Sequence, residues 1–153
     1  MFDIKNIIIP TDFSSLSFSA FDYAVDLAEK IGAKIHLIYV LEKTPPFLAV
    51  HSLDVSEDEI MNNMEEEAKR QLNETAQKLQ NDSNVEIIQV LRKGIDYEEI
   101  VKYSNEVEKG LIVIATHGRT GILHTLLGSV AEKVIRYAKC PVLVITPQSK
   151  VDN

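Results

Sequence analysis

The sequence predicts an α/β protein built on a five-stranded, mostly parallel sheet with helices on both faces. Within the 153 residues, five short apolar segments rich in β-branched residues resemble the buried strands of parallel sheets. These segments alternate with stretches whose apolar residues recur at helical spacing, which is the order of repeated β-α-β units. No internal repeat and no linker interrupts that order, so we expect a single domain over residues 1–153.

The chain begins with a strand and a helix. The first strand is expected within Lys5–Pro10, where three consecutive isoleucines form an unbroken apolar run. Ser14 is a good N-cap, and the helical spacing of apolar residues over Leu16–Ile31 predicts a helix behind it. Gly32 ends this helix, because glycine readily adopts the left-handed conformation of a helix C-terminus.

The second strand and the segment after it differ in pattern. Lys34–Leu41 is predicted as a strand, and we interpret His36 and Tyr39 within it as core or edge residues rather than ligands. Glu42–Val55 contains two prolines and no clear period, which predicts a loop. Ser56–Glu59 has the capping-box pattern that starts a helix.

Alternating helices and strands continue to the end of the chain. Apolar residues line one helix face over Ile60–Leu79, and the acidic residues of that helix are interpreted as its solvated face rather than a metal site. Val85–Leu91 is the third strand, and Asp96–Glu99 predicts a second capping box for a helix that ends near Gly110. The remaining elements are a strand over Leu111–Ala115, a helix over Val130–Ala138 and a strand over Cys140–Ile145.

Composition and charge exclude several classes of protein. Hydrophobic residues make up 45% and charged residues 25% of the chain, as in soluble globular proteins. The net charge of −7 argues against nucleic-acid or anionic-membrane partners, which favour a basic face. No apolar run approaches the roughly 20 residues that span a bilayer, and Met1–Asn6 lacks signal-peptide features. The single cysteine, Cys140, cannot form an internal disulfide, so we expect a cytoplasmic protein.

A glycine-containing loop and a helix start follow the fourth strand. Gly118 lies in the loop, and Gly128 and Ser129 open the helix, whose first amide groups lack partners within the helix. Such an end attracts anions, because the N–H groups point outward and the helix dipole adds partial positive charge. Gly128 lets a phosphate approach the backbone, and the Ser129 hydroxyl adds a hydrogen bond. We therefore predict that a nucleotide binds against this loop.

Two strands end in polar residues that belong to one predicted crevice. Thr11 and Asp12 follow the first strand, and Thr116 and His117 follow the fourth. Ligands of open α/β sheets bind beyond the carboxyl ends of strands where the winding reverses. If these strands are neighbours there, Asp12 can accept hydrogen bonds from a ribose hydroxyl or an adenine amine. Asp12 can equally cap the first helix beside Ser14, and the two roles are compatible.

Other nucleotide and catalytic motifs are missing from the sequence. No Gly-Lys pair of a P-loop occurs, and the first strand is followed by Pro10 and Thr11 rather than the glycines of a dinucleotide fingerprint. The third strand ends in Val90-Leu91-Arg92, without a phosphoacceptor aspartate. There is no Gly-x-Ser-x-Gly elbow, and four histidines with one cysteine show no metal-ligand spacing.

Three segments together resemble the universal stress protein family over nearly the whole chain. They are the start, Ile9–Ser14, the end, Cys140–Val144, and the loop described above. The family motif is Gly, two residues, Gly, nine residues, Gly, then Ser or Thr. Here it stands as Ala115–Gly118, nine further residues, and Gly128-Ser129. Alanine replaces the first glycine, which should cost little if Ala115 keeps strand dihedrals, because only a positive φ makes glycine necessary.

This resemblance implies the strand order 3-2-1-4-5, in a Rossmann-like sheet of the adenine nucleotide alpha hydrolase-like type. It implies an ATP or AMP site between the first and fourth strands, with Mg²⁺ held largely through phosphate oxygens. The implied contacts are Pro10, Thr11 and Asp12 beside the adenosine, Val40 at the adenine, Ala115 near the ribose, and Gly118, Gly128, Ser129 and Val130 at the phosphates. Arg119 either adds charge at the phosphates or is a solvated loop residue.

Three functions are compatible with this site. The first is a nucleotide-dependent stress-response regulator that is not an enzyme, since His117 is the only nearby candidate base and packing against the loop suits it better. The second is an ATP-using enzyme with slow hydrolysis, which would need a second substrate pocket, for instance under Glu42–Val55. The third is a nucleotide-free dimeric interaction protein, in which Gly118 and Gly128 are turn residues only.

The fifth strand predicts self-association. Val142–Ile145 carries no charge and no proline, and the implied order puts it at a sheet edge. Exposed apolar edges recruit other strands, and the two-fold solution is antiparallel pairing with a second copy. The family resemblance implies the same arrangement, so we expect a homodimer.

Overall fold

The computed structural model describes residues 3–43, 56–117 and 127–146. Within them, five strands form one all-parallel sheet in the order β3-β2-β1-β4-β5, which confirms the predicted fold. The strands are β1 Asn6–Pro10, β2 Lys34–Leu41, β3 Ile87–Lys93, β4 Gly110–Ala115 and β5 Val142–Ile145. The helices are α1 Ser15–Phe18, α2 Phe21–Ile31, α3 Glu57–Asp82, α4 Asp96–Glu106 and α5 Ser129–Tyr137.

Both faces of the sheet are buried, which explains the unbroken apolar runs of its central strands. Successive strand residues point to opposite faces. Ile7 and Ile9 therefore pack in the cluster that includes α2 and α3 residues, whereas Ile8 packs with residues of α4 and α5. The side chains of all three isoleucines are fully buried.

The predicted first helix is interrupted, so the structure has α1 and α2 in its place. Two serine side chains form hydrogen bonds to backbone carbonyls of the preceding turn. The Ser17 hydroxyl donates to the Ser14 carbonyl at 2.9 Å, and the Ser19 hydroxyl donates to the Leu16 carbonyl at 2.7 Å. Such local bonds compete with a continuous helix. The other predicted ends hold, because Ser14 caps α1 through the Ser17 N–H and Gly32 ends α2 in the left-handed conformation.

One of the two predicted capping boxes is confirmed and the other is wrong. Ser56 and Glu59 exchange both hydrogen bonds of a capping box at the start of α3. At α4 the N-cap is Ile95, without a side-chain hydrogen bond, and Asp96 is already the first helical residue. The Asp96 carboxylate accepts a hydrogen bond from the Tyr97 N–H at 2.6 Å. It remains favourable there because of the helix dipole.

His36 lies in the core and has a polar partner on each ring nitrogen, as expected for a structural histidine. Nε2 is 2.9 Å from the Asn6 side-chain oxygen, which can only accept, so Nε2 carries the proton. Nδ1 then accepts from the Tyr103 hydroxyl at 2.7 Å. Burial lowers the pKa of His36 below its ordinary value, because the charged imidazolium loses solvation.

The acidic face of α3 is solvated, as the sequence predicts. Hydrogen bonds from Arg70 and Gln71 lower the pKa of the exposed Glu67 to about 2. Among the described residues, no group of three or more histidine, cysteine or acidic side chains could hold a metal ion. None of the helices in this part of the chain is long and apolar enough to cross a membrane.

Candidate functional site

The carboxyl ends of β1 and β4 separate at the middle of the sheet. Their pairing runs from Asn6 opposite Gly110 to Ile8 opposite Ile112, although both strands continue beyond those residues. Past this point β1 stays with β2, since the Thr11 N–H donates to β2 at 2.9 Å. The winding of the chain reverses here, so the opening is where open α/β sheets bind ligands.

Pro10 explains why the two strands part. N–H groups along a strand point alternately to its two neighbours. Because the Thr11 N–H points to the Ile38 carbonyl of β2, the nitrogen of Pro10 is on the side of β4. Proline has no N–H to donate, so the ladder between β1 and β4 lacks its next bond. Pro10 is itself buried at the end of β1.

Thr11 and Asp12 hold the turn that follows β1. The buried Thr11 hydroxyl accepts from the Phe13 N–H at 3.0 Å and lies 3.1 Å from the Ser17 hydroxyl. Asp12 Oδ1 accepts from both the N–H and the hydroxyl of Ser14. The structure therefore gives both residues a role in positioning the turn. The N-cap of α1 is Ser14, and Asp12 supports it by accepting the two hydrogen bonds from Ser14.

Phe13 is a residue of this turn that the sequence did not single out. It has a φ of 62°, which is costly for an aromatic residue. Its ring stacks on Tyr39 with centroids 4.6 Å apart. Both rings line a cavity of about 360 Å³ against α3, and none of the predicted nucleotide contacts within the described residues is among its lining residues.

Ala115 and Val40 are at the carboxyl ends of their strands. Ala115 is the last residue of β4, is 7% exposed and packs in the core cluster that faces α2. Its methyl group thus has space in the core, and its strand position fits the expected tolerance of alanine in the motif. Val40 is partly buried near the end of β2 and packs in the cluster on the opposite face.

The end of β4 is joined to the start of α5 by the backbone. The Gly128 N–H donates to the Thr116 carbonyl at 2.6 Å. The Thr116 side chain is buried, and its hydroxyl lies 2.9 Å from His117 Nδ1. Thr116 is thus part of the site although the sequence marked it only as one of two polar residues after β4. A backbone contact of this kind leaves no signal in the residue pattern.

The N-terminus of α5 has no side-chain cap. Gly128 is the N-cap and has no side chain to bond to the helix, and the first backbone bond of α5 runs from the Glu132 N–H to the Gly128 carbonyl. Ser129 is exposed and Val130 partly buried in the first turn. Their N–H groups are among the first of the helix, which have no intrahelical acceptors. The predicted phosphate residues of this end therefore share one surface of the molecule.

Two predicted contacts, Gly118 and Arg119, lie outside the described residues. So does most of the Glu42–Val55 segment, under which the sequence allowed a second substrate pocket. The described part of the site combines a carboxylate after β1, a gap between two strands and a helix N-terminus after β4. Such a set offers hydrogen-bond acceptors on one side and donors for an anion on the other.

An all-parallel α/β sheet in the order β3-β2-β1-β4-β5, with helices on both faces, defines the class of the protein as a Rossmann-like fold. The model of the universal stress protein family matches residues 3–146. The chain belongs to the universal stress protein family.

Individual relatives agree with this assignment. The universal stress protein MJ0531 of Methanocaldococcus jannaschii is 36% identical over 95% of this chain and 84% of its own. The solved structure of MJ0577 from the same organism is 30% identical, with a TM-score of 0.79 over 95% of this chain and 98% of its own. A universal stress protein from Archaeoglobus fulgidus, solved in complex with dAMP, shares the fold at 23% identity and a TM-score of 0.63, over 95% and 99% of the two chains.

Proposed function

We propose that this protein binds ATP or AMP in the opening between β1 and β4 and acts as a nucleotide-dependent regulator of a stress response. The observation that carries the proposal is the uncapped N-terminus of α5, with Gly128 and the exposed Ser129, beside the gap that Pro10 leaves in the sheet. A phosphate is the ligand for which free helix-terminal N–H groups are suited.

The comparisons support an adenine nucleotide as the ligand class. A member of the same family, from Archaeoglobus fulgidus, was solved with dAMP. In the present chain, Asp12 is on the side of the opening suited to the adenosine. Its carboxylate accepts hydrogen bonds, as a ribose hydroxyl or an adenine amine requires. The α5 end would hold the phosphates through the N–H groups of Ser129 and Val130, since the Gly128 N–H already donates to the Thr116 carbonyl.

The described residues are compatible with Mg²⁺ that is coordinated by phosphate oxygens of the nucleotide rather than by a cluster of side chains. They contain no group of acidic, histidine or cysteine side chains that could hold a metal ion. Mg²⁺ commonly binds through substrate phosphates and retains several waters. When bound in this way, the ion would neutralise phosphate charge at the N-terminus of α5.

We propose binding without turnover. A hydrolase would need a group that activates water, and among the described residues after β4 the candidate is His117. Its Nδ1 lies against the Thr116 hydroxyl, a contact that suits packing at the end of β4.

The net charge of −7 supports neither a nucleic-acid partner nor an anionic membrane surface. A single cysteine is in keeping with a cytoplasmic location.

The experiment is a thermal unfolding series with ATP and Mg²⁺, AMP or adenosine. A ligand at 1,000 times its dissociation constant stabilises the native state by roughly 4 kcal/mol. For a domain of this size we expect the Tm to rise by about 8 to 16 °C. Phosphate release, measured in the same samples, should stay at the level of a protein-free control. Steady release would favour the ATP-using enzyme.

A second candidate is a nucleotide-free interaction protein, because one observation favours it. A side chain at Gly128 would clash with the Thr116 carbonyl, so a glycine is required there even without a phosphate. An unchanged Tm at millimolar ATP would contradict our proposal and favour this candidate.

A further inference from the structure

Gly128 approaches the backbone of β4 more closely than any residue with a side chain could. A Cβ atom added there would lie 2.6 Å from the Thr116 carbonyl oxygen and 3.5 Å from the His117 Cα. The dihedral angles of Gly128, φ −69° and ψ 155°, are open to every residue type. Glycine is therefore required by lack of space and not by backbone conformation.

Thr116 links three elements through its backbone. Its N–H donates to the Ile145 carbonyl of β5 at 2.9 Å, and its carbonyl accepts from the Gly128 N–H at 2.6 Å. The Gly128 carbonyl then accepts the first bond of α5, from the Glu132 N–H at 2.9 Å. Thr116 is 3% exposed, so its own backbone groups are shielded from water. The first turn of α5 is thus fixed to the edge of the sheet by a continuous series of hydrogen bonds.

We propose that Thr116 and Gly128 are positioning residues, which fix the N-terminus of α5 against the end of β4 before any ligand is bound. This inference rests on the proposed function, since it describes how that site is built. The phosphate end of the site is preformed, because its geometry comes from a backbone joint inside the protein. By this joint we mean the hydrogen bond from the Gly128 N–H to the Thr116 carbonyl. Position 128 therefore requires glycine because the Thr116 carbonyl leaves no space for a side chain, whether or not a phosphate also approaches it.

The first test compares two glycine substitutions in the ligand-free protein. Gly128→Ala forces the 2.6 Å contact apart, whereas a Cβ at Gly110 meets its nearest atoms at 3.5 Å, an ordinary contact. We expect Gly128→Ala to lower the Tm by about 4 to 10 °C, as overpacking does. The matched control Gly110→Ala should change it by less than half as much. Equal Tm values for the two variants would overturn the joint.

The second test needs no variant and so holds even if Gly128→Ala does not fold. Amide hydrogen exchange of the ligand-free wild type is followed by NMR. The Gly128 amide has an acceptor inside the protein, whereas the Ser129 amide begins the first turn of α5. We expect exchange at Gly128 to be slower by at least about tenfold. Equal exchange rates would contradict a preformed joint.

The third test separates positioning from general stability. Titration calorimetry gives the ratio of adenosine to ATP dissociation constants, which reports the phosphate contribution alone. Gly128→Ala should reduce this ratio by about tenfold or more, with little change for adenosine, and Gly110→Ala should preserve it. An unchanged ratio would overturn the positioning role. If the wild type binds neither ligand, the proposed function fails, while the first two tests still decide whether the joint exists.

Discussion

The Oδ1 atom of Asp12 accepts two hydrogen bonds from Ser14, one from its N–H at 3.0 Å and one from its hydroxyl at 2.5 Å. The Ser14 hydroxyl in turn accepts from the Ser17 N–H at 3.2 Å and so caps α1. Asp12 therefore supports the turn that leads out of β1. Its proposed contact with an adenosine is an additional role, and variants can separate the two.

We expect Asp12→Ala to lower the free energy of unfolding by about 1 to 3 kcal/mol, because the turn loses a charged acceptor. Asp12→Asn retains an oxygen acceptor in the same place and should lose less than half of that. Urea unfolding of the ligand-free variants measures both effects. Equal losses in the two variants would show that the negative charge, and not the hydrogen bonds, stabilises the turn.

Ser129 offers a cleaner test of the phosphate end than Gly128 does. We expect Ser129→Glu to abolish the Tm rise with ATP, because a carboxylate in the first turn of α5 repels the phosphates. The ligand-free Tm should be maintained, since acidic residues are favourable at a helix N-terminus. Ser129→Gln, of nearly the same size without charge, is the control and should retain most of the rise. A full ATP-dependent rise in Ser129→Glu would place the phosphates elsewhere.

His36 should make stability fall on mild acidification. Its pKa in the folded protein is lowered from the ordinary value of 6.5, first by burial and then by the charge of Lys34, with Glu86 opposing. The neutral form therefore contributes its full stability above pH 6.5. That contribution is lost as the pH falls below 6.5 towards the folded pKa, by up to about 1.4 kcal/mol per pH unit. Denaturant unfolding between pH 7.5 and 5 should show a shallower decline in His36→Gln than in wild type.

The edge strand β5 should pair with a second copy of the protein. Leu143 is 39% exposed on this strand, whereas Val144 packs partly against the core. Leu143→Lys is therefore the better substitution, because it adds charge to the edge without opening the core. Light scattering should give a dimer for wild type at micromolar concentration and a smaller average mass for Leu143→Lys. A monomeric wild type would contradict the prediction.

The sheet was predictable because each buried strand carries its own apolar signal. The isoleucines of β1 and the apolar residues of β4 mark strands covered on both faces, and the family resemblance supplied the strand order. The break between α1 and α2 was not predicted, because Ser17 and Ser19 suit a helix surface as well as an interruption. Their hydroxyls form local bonds to backbone carbonyls at the interruption, which spacing does not reveal.

The construction of the candidate site was only partly predictable from the sequence. Sequence identified Asp12, Gly128 and Ser129 as polar or glycine residues in suitable places. It could not identify the strained backbone of Phe13 or the contact between Gly128 and Thr116. A glycine at position 128 indicated a close approach, but the sequence did not show that the approaching atom is the Thr116 carbonyl oxygen. The conformation of Phe13 likewise depends on the packing of distant segments.

Pro10 makes the opening between β1 and β4 an intrinsic property of the chain. A residue with an N–H at that position could donate a further hydrogen bond from β1 to β4 and so extend the pairing of the two strands. A ligand that binds there would then have to break that bond. Pro10 cannot form this hydrogen bond, because its nitrogen is part of the pyrrolidine ring and carries no hydrogen. The separation of the two strands is therefore present before binding, and a ligand at this position would not have to break hydrogen bonds between them.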